Sequence, residues 1–143
     1  MADDGTRNVM DGYLDALRGG GDFARFYAPG VVWTFMESGE QVHGRNAVRD
    51  LVVGMHTQAF SARPELRSLL TGDGVAMLEA DFVGTHTEEF EGLPPTGVTV
   101  RLPYCVAYDV AGGAITALRA YFPMRALHAR LAEAIRSAEP AHV

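Results

Sequence analysis

Three polar residues fall where predicted strands place them beside apolar side chains, and their types suit proton transfer. His86 and Tyr104 share the faces of two predicted strands with apolar residues, and Glu37 ends an earlier β-rich stretch. Histidine moves protons near neutral pH, and a carboxylate whose pKa is raised by desolvation acts as a base. A phenol in a dry cavity donates a hydrogen bond to a carbonyl oxygen. These residue types are suited to moving a proton and to donating a hydrogen bond.

Each of these residues also has a structural explanation. Tyr104 can be an amphipathic core residue whose hydroxyl is satisfied inside the protein. His86 can anchor the loop that follows its strand, and Glu37 can be a solvated strand end beside Ser38. For His56, on the shoulder of a predicted helix, a packed helix residue and a contact to a bound molecule are both open. The sequence does not decide between these alternatives.

Helical periodicity organises the first part of the chain. Apolar residues recur at helical spacing over 10–17 and stop at glycines 19–21, where continuing a helix is unfavourable. Asp22 is expected to cap a short second helix, which Pro29-Gly30 ends. A third helix is predicted over 48–59.

The remainder of the chain is dominated by predicted strands. Residues 38–44 are predicted as a turn region, and Gly72-Asp73-Gly74 and Gly112-Gly113 have the chemistry of hairpin turns. The predicted strands cover 31–37, 65–71, 74–85, 98–109 and 115–122, and a last helix covers 124–137. This order predicts an α+β fold in which a curved sheet wraps around the helices and leaves a pocket in its concavity.

Alternation along the strands separates the residues that can reach such a pocket from those that cannot. The inward set of the last three strands is apolar or aromatic, apart from His86 at a strand end. Four charged residues fall on the opposite face, where they are interpreted as a structural or dimer-face charge ladder: Glu79, Asp81, Arg101 and Arg119. We expect this outer face, not the pocket, to carry the charges of the sheet.

Composition limits the class of protein. The 143 residues, 48% of them apolar, fit one domain spanning 1–143. The formal charge of −6 and the absence of lysine disfavour nucleic acid and anionic membranes as partners. Cys105 is the single cysteine, and no Cys/His cluster has the spacing of a metal site. We expect a soluble, cytoplasmic protein without a metal or another cofactor.

Two segments resemble a known family. HTEEFEGLPPTG, residues 86–97, and LRAYFP, residues 118–123, resemble the SnoaL-like polyketide cyclases, also called ester cyclases. These belong to the cone-shaped NTF2-like superfamily, which includes nuclear transport factor 2, ketosteroid isomerase and limonene epoxide hydrolase. The resemblance implies a curved antiparallel or mixed sheet around three N-terminal helices, with a C-terminal helix. It also implies a homodimer.

The resemblance suggests roles for particular residues. DGYLDALRGGGDF is similar to the first helix of ketosteroid isomerases, in which a tyrosine at the position of Tyr13 donates a hydrogen bond to the substrate oxyanion. Tyr104 falls where that family has a second oxyanion donor. Phe35 replaces its catalytic aspartate, which leaves His86 or Glu37 to move the proton. The residues expected to contact the substrate are Trp33, Phe35, His56, Phe60, Leu102 and Phe122.

The sequence also departs from its relatives. Ala120 stands where limonene epoxide hydrolases have a catalytic aspartate. Pro123 stands where SnoaL-like cyclases usually have an aspartate, and Arg119 stands where they have a tryptophan. The carboxylates expected in these relatives are therefore absent from the last strand.

Two functions are compatible with these observations. The first is a small cofactor-independent enzyme of secondary metabolism or lipid catabolism that cyclises or isomerises an apolar, polyketide- or steroid-like carbonyl compound. The second is a non-catalytic small-molecule-binding or dimeric assembly module of the same fold. Inward polar groups at Tyr13, Tyr104 and His86 favour the enzyme, and the missing carboxylates favour the binding module.

Overall fold

The elements of the chain follow the predicted order of helices and strands, with one short strand added. The computed structural model describes residues 2–138. The elements are α1 (Ala2–Gly19), a 3₁₀ helix (Phe23–Phe26), β1 (Tyr27–Phe35), β2 (Gln41–His43), α2 (Arg45–Val53), a π-helical turn (Gly54–Gln58), β3 (Phe60–Gly72), β4 (Val75–His86), β5 (Thr99–Ala111), β6 (Ala114–Tyr121) and α3 (Met124–Ala138). The predicted α+β class is confirmed.

One mixed sheet holds all six strands, in the order β2-β1-β6-β5-β4-β3. Strands β1 and β6 pair in parallel, and all other neighbouring strands pair antiparallel. Helix α1 crosses the concave face and contacts β3, β4 and β5, while α2 contacts β1. The helices and the concave face therefore enclose the space between them, as the NTF2-like cone requires. No helix in the described part of the chain is long and apolar enough to cross a membrane.

The apolar core is divided into two clusters. The first cluster lies between α1 and the sheet and includes Met10, Leu14, Val31 and Leu118. The second cluster lies under α3 and includes Phe60, Phe82, Phe90, Val100, Leu102, Phe122, Leu127 and Leu131. Tyr104 packs against both clusters, so its side chain lies at their boundary.

The predicted alternation of strand faces is confirmed in β4 and β5. Along β4, the inward residues from Ala76 to His86 are buried and most of their neighbours are not. Both predicted hairpin turns also form: Gly74 has φ of 75°, and Gly112 and Gly113 have φ of 59° and 78°. Positive φ is the conformation in which glycine avoids a steric cost.

Two prolines lie inside strands that the sequence predicts to begin after them. β1 begins at Tyr27, so Pro29-Gly30 belongs to the strand and does not end a helix. It is tolerated because β1 pairs with β6 at Tyr27 and again only from Val32, with an irregularity between them. Similarly, β3 begins at Phe60 and contains Pro64, which an edge strand accommodates on its unpaired side.

The predicted turn region 38–44 contains a short strand that the sequence analysis did not predict. β2 covers only Gln41–His43 and pairs antiparallel with Val32 to Thr34 of β1. Three residues are too few to produce a recognisable alternation of apolar and polar side chains. The pairing partner, and not the local sequence, defines this strand.

Charged side chains form ion pairs on the outer face of the sheet. Asp81 accepts from Arg67 and from Arg101, each at 2.8 Å, and only 3% of its side chain is exposed. These two guanidinium groups, Arg67 first, hold the pKa of Asp81 below its usual range. The predicted ladder is thus present between Arg101 and Asp81. Arg119 instead pairs with Asp109 at 2.8 Å, and Glu79 accepts from Ser68.

Replacing Gly84 by alanine is expected to destabilise the fold by about 1–3 kcal/mol, because the new methyl group would be overpacked. A Cβ at Gly84 would lie 2.8 Å from the Cβ of Ala62, its cross-strand partner, and 3.0 Å from the ring of Phe82. Urea unfolding of Gly84→Ala measures the change. The matched control is Gly30→Ala in β1, where nothing lies within 4 Å; equal stability of the two variants would contradict this packing analysis.

Candidate functional site

The concave side of the sheet contains a cavity bounded by α1, α2 and the π-helical turn. Its wall is mostly apolar, with Leu78, Phe82 and Val106 from the sheet and Leu17, Val52 and Met55 from the helices. The free volume of the cavity is about 60 Å³. Ligand pockets are commonly about 300–1,000 Å³, so this cavity is small for a ligand site.

The polar side chains of the cavity wall belong to uncharged residue types and one histidine. They are supplied by Tyr13, Trp33, His56, Tyr104 and Tyr108, and no Asp, Glu or Arg from the described part of the chain lines the cavity. A carbonyl compound without a net charge fits such a wall. A carboxylate or phosphate would lose its hydration without gaining a cationic partner.

Six of the ten residues predicted from the sequence meet in this cavity. They are Tyr13, Trp33, Phe35, His56, Tyr104 and Phe122. The other four lie elsewhere: Phe60 and Leu102 pack in the second cluster, His86 is buried at the end of β4, and Glu37 is exposed. The two phenols predicted to act together therefore share one cavity, whereas neither residue predicted to move a proton lines it.

Tyr13 is held by another tyrosine. Its hydroxyl lies 2.9 Å from the hydroxyl of Tyr27, and either group can be the donor. When Tyr27 donates, the Tyr13 proton is available to a molecule in the cavity. Burial raises the pKa of Tyr13 to about 12, although the hydrogen bond to Tyr27 acts in the opposite direction. Tyr13 is therefore a protonated phenol at neutral pH, suited to donate a hydrogen bond.

Tyr104 enters the cavity from β5, at the boundary between the two clusters. Its ring packs on Phe122 at a centroid distance of 5.4 Å. Burial raises the pKa of its hydroxyl, and the nearby Tyr13 and Asp81 add to this effect. Like Tyr13, Tyr104 keeps its proton at neutral pH and can donate a hydrogen bond to a carbonyl oxygen.

His56 lies in the π-helical turn Gly54–Gln58 that follows α2. Its Nδ1 is 2.8 Å from the carbonyl oxygen of Val52, which can only accept, so Nδ1 carries a proton. A neutral ring then has its lone pair on Nε2, and this atom is buried with no hydrogen-bond partner among residues 2–138. Burial lowers the pKa of His56, although the Val52 carbonyl opposes this. His56 is consequently a neutral acceptor at pH 7.

Trp33 adds a donor of fixed character. Its Nε1 is likewise buried with no partner among the described residues, and an indole nitrogen can only donate. Each buried polar atom without a partner costs roughly 1–3 kcal/mol. Trp33 and His56 both line the cavity, and no protein group among the described residues satisfies either of these two atoms.

His86 anchors the loop that contains the segment HTEEFEGLPPTG. Its Nδ1 accepts from the backbone N–H of Thr96 at 3.2 Å and lies 3.1 Å from the Thr96 hydroxyl. The backbone of His86 also pairs with Gly97 and Val98. The ring is wholly buried against Phe60, 5.3 Å between centroids, and burial lowers its pKa. Of the two explanations for His86, the geometry supports the loop anchor.

Glu37 caps the last helix. Its carboxylate accepts from the backbone N–H of Arg125 at 3.2 Å, at the first turn of α3. A carboxylate at a helix N-terminus is stabilised by the unpaired N–H groups and the helix dipole. Glu37 is exposed and does not line the cavity, so its position supports a structural role.

Sequence analysis did not identify every functional side chain. Tyr27 was predicted within a helix, and its contact with Tyr13 spans fourteen positions of the chain, so no local pattern reveals it. The contact of His56 with Val52 is local, because a histidine four residues after Val52 can reach its carbonyl within a helix. Among the described residues, no group of three or more His, Cys, Asp or Glu could hold a metal ion.

A mixed sheet curved around helices, with an apolar cavity in its concavity, is the architecture of the cone-shaped NTF2-like proteins. The chain belongs to the SnoaL-like domain family, whose model matches residues 11–118. No curated protein matches the sequence. The predicted family is confirmed.

Solved structures share the fold at low sequence identity. A candidate SnoaL-like polyketide cyclase from Jannaschia sp. CCS1 is 19% identical, with a TM-score of 0.81 over 96% of this chain and 95% of its own. A candidate polyketide cyclase from Xanthomonas campestris pv. campestris is 21% identical, with a TM-score of 0.77 over 92% and 99%. A candidate ketosteroid isomerase from Kribbella flavida is 20% identical, with a TM-score of 0.66 over 84% and 78%. These similarities establish the fold alone.

We expect His86 and Thr96 to be energetically coupled. In a double-mutant cycle of His86→Leu and Thr96→Val, the two losses of unfolding free energy should be non-additive by about 0.5–3 kcal/mol, because both changes break the same contact. Chemical unfolding measures the cycle, and limited proteolysis reports opening of the loop. Thr87→Val, an exposed position of the same loop, is the control. Additive losses would show that the contact contributes nothing.

Proposed function

We propose that the protein is a cofactor-independent enzyme that binds an apolar carbonyl compound in the cavity and isomerises or cyclises it. The observation that carries this proposal is the presence of Tyr13 and Tyr104, two protonated phenols, in the wall of one largely apolar cavity. Phenolic donors in a dry site stabilise negative charge that develops on a carbonyl oxygen.

The step that these residues would assist is formation of an enolate. When a proton leaves the carbon beside a carbonyl group, the electron pair of that C–H bond becomes the C=C bond of the enolate and negative charge moves to oxygen. A hydrogen bond from Tyr104 or Tyr13 then becomes stronger than it was to the neutral ketone, and this difference lowers the barrier. Returning the proton to another carbon isomerises the compound, and attack on a second carbonyl carbon closes a ring.

The shape of the cavity narrows the substrate class. Aromatic rings from Phe35, Phe82 and Phe122 contribute to its wall. This wall and the free space of about 60 Å³ favour a small apolar ketone over a four-ring steroid. Similarity to candidate polyketide cyclases supports a place in secondary metabolism, where small aromatic polyketides occur.

A second function is a binding module without chemistry. The observation that favours it is that no carboxylate from residues 2–138 lines the cavity, so the acid or base expected in relatives is missing at Ala120 and Pro123. The Tyr13 hydroxyl is also already paired with Tyr27. Under this alternative, ketones bind in the cavity and leave unchanged.

We also propose that the outer face of the sheet joins two copies of the chain. Large apolar side chains are exposed there beside the ion pairs, and Leu70 and Met77 are direct cross-strand neighbours. Tyr121 is exposed on the same face of β6. An apolar surface next to paired charges suits a self-complementary contact between identical chains.

The enzyme proposal predicts that Tyr104→Phe and Tyr13→Phe each lower turnover by about 10²–10³-fold, because each removes one oxyanion donor and little volume. The measurement is deuterium incorporation beside the carbonyl of cyclohexanone, 2-tetralone and a 3-ketosteroid in D₂O, followed by NMR. Tyr121→Phe on the outer face is the matched control and should exchange like the wild type. Binding of 2-tetralone with no exchange above buffer would establish the binding module instead.

The dimer proposal predicts that Met77→Arg yields monomers in sedimentation velocity, since a buried charge without a partner opposes association. Met77 is 42% exposed on the outer face. Met36, 39% exposed in the turn after β1, provides the same substitution away from that face. A wild-type protein that sediments as a monomer, or a Met77→Arg variant that remains dimeric, would rule out this interface.

A further inference from the structure

The cavity wall contains one side chain that is unprotonated at neutral pH and can accept a proton. Its tyrosines, Tyr13, Tyr104 and Tyr108, all have pKa values raised by burial, so they hold their protons. Among the described residues, no carboxylate lines the cavity. His56 is the remaining titratable side chain of the wall among the described residues.

The local backbone orients the His56 ring. The turn Gly54–Gln58 is π-helical, closed by a hydrogen bond of 3.0 Å from the Ala59 N–H to the Gly54 carbonyl. Such turns are wider than an α-helical turn and are frequent at functional sites. The 2.8 Å bond from Nδ1 to the Val52 carbonyl then fixes both the tautomer and the ring plane. Nε2 keeps its lone pair for another partner.

His56 also lies where the cavity meets solvent. A groove of about 770 Å³ runs between the end of α1, the π-helical turn and β3. Leu17, Val52 and His56 line both the groove and the cavity, so they form the wall between them. The His56 side chain therefore lies between the cavity and the water-filled groove.

We propose that His56 is the proton-transfer group of this cavity and that its substrates are uncharged, enolisable ketones. This inference rests on the proposed function and adds the residue that it lacks. Nε2 of His56 takes the proton from the carbon beside the carbonyl group, and the C–H electron pair becomes the enolate C=C bond. The oxyanion accepts a hydrogen bond from Tyr104. The imidazolium then returns the proton to carbon, so the step consumes no co-reactant.

The pH dependence follows from the neutral form of His56. Proton abstraction requires an unprotonated Nε2, so exchange should fall with decreasing pH below the ordinary imidazole value of about 6.5. The other titratable groups around His56 are Tyr13, Tyr104 and Tyr108 in the cavity and Arg18, Arg63 and Glu65 along the groove. Burial raises the pKa values of the three tyrosines, so they keep their protons over this range, and Glu65 is paired with Arg101 at 2.9 Å.

The test is deuterium incorporation into 2-tetralone in D₂O by wild type, His56→Asn and His128→Asn. Asparagine retains an N–H donor for the Val52 carbonyl and removes Nε2, so we expect a loss of about 10²–10⁴-fold with the fold preserved. His128 is exposed on α3, and the same substitution there should change nothing. Binding of 2-naphthol, which resembles the enol but has no ketone to exchange, checks that the cavity of His56→Asn is intact.

The outcomes separate this inference from the proposed function. Exchange that persists in His56→Asn but is lost in Tyr104→Phe overturns the role of His56 and leaves the enzyme proposal standing. Absence of exchange in the wild type overturns both. If His56→Asn does not fold, His56→Gln takes its place, because glutamine also lacks a basic nitrogen; wild-type exchange by folded His56→Gln would overturn the role of His56. Recovery of exchange by added imidazole in His56→Ala would support the assignment independently.

Discussion

A single register between β4 and β5 determines which side chains reach the cavity. Tyr104 pairs with Ala80 and Tyr108 pairs with Ala76, so both phenols point to the concave side together with Val106. A shift of one residue would turn them outward and turn Arg101 and Cys105 to the concave side instead. Everything proposed for the site depends on this alignment.

Contacts on the outer face and at one end of the β4–β5 pair maintain that register. The outer face contributes the ion pair between Asp81 and Arg101, which a shifted strand could not form. At the open end of the pair, His86 holds Thr96 and keeps the loop closed where β5 begins. The segment 86–97, which carries the family resemblance, therefore helps to align β4 with β5. His86 does this without lining the cavity.

Alternation and turn chemistry predicted the sheet, because both depend on neighbours in sequence. The inward faces of β4 and β5 followed from period-two burial, and the hairpin turns followed from Gly74 and Gly112-Gly113. Roles that depend on distant partners were not predictable. The partner of Glu37 is Arg125, eighty-eight positions away, and no periodicity distinguishes the π-helical turn that carries His56 from an α-helix.

The departures from related enzymes gain a physical explanation under the proposed function. Ala120 is buried in the first cluster, where it pairs with Val106 and Phe35, and a carboxylate at that point would be surrounded by apolar groups. A charged carboxylate there would be destabilised by the loss of its hydration, and this wall supplies no cationic partner for it. A histidine avoids that cost, because its basic form is the neutral one and burial favours it. Replacing a carboxylate on the last strand by an imidazole on the helical side therefore allows the same proton transfer in a cavity that remains uncharged until the substrate reacts.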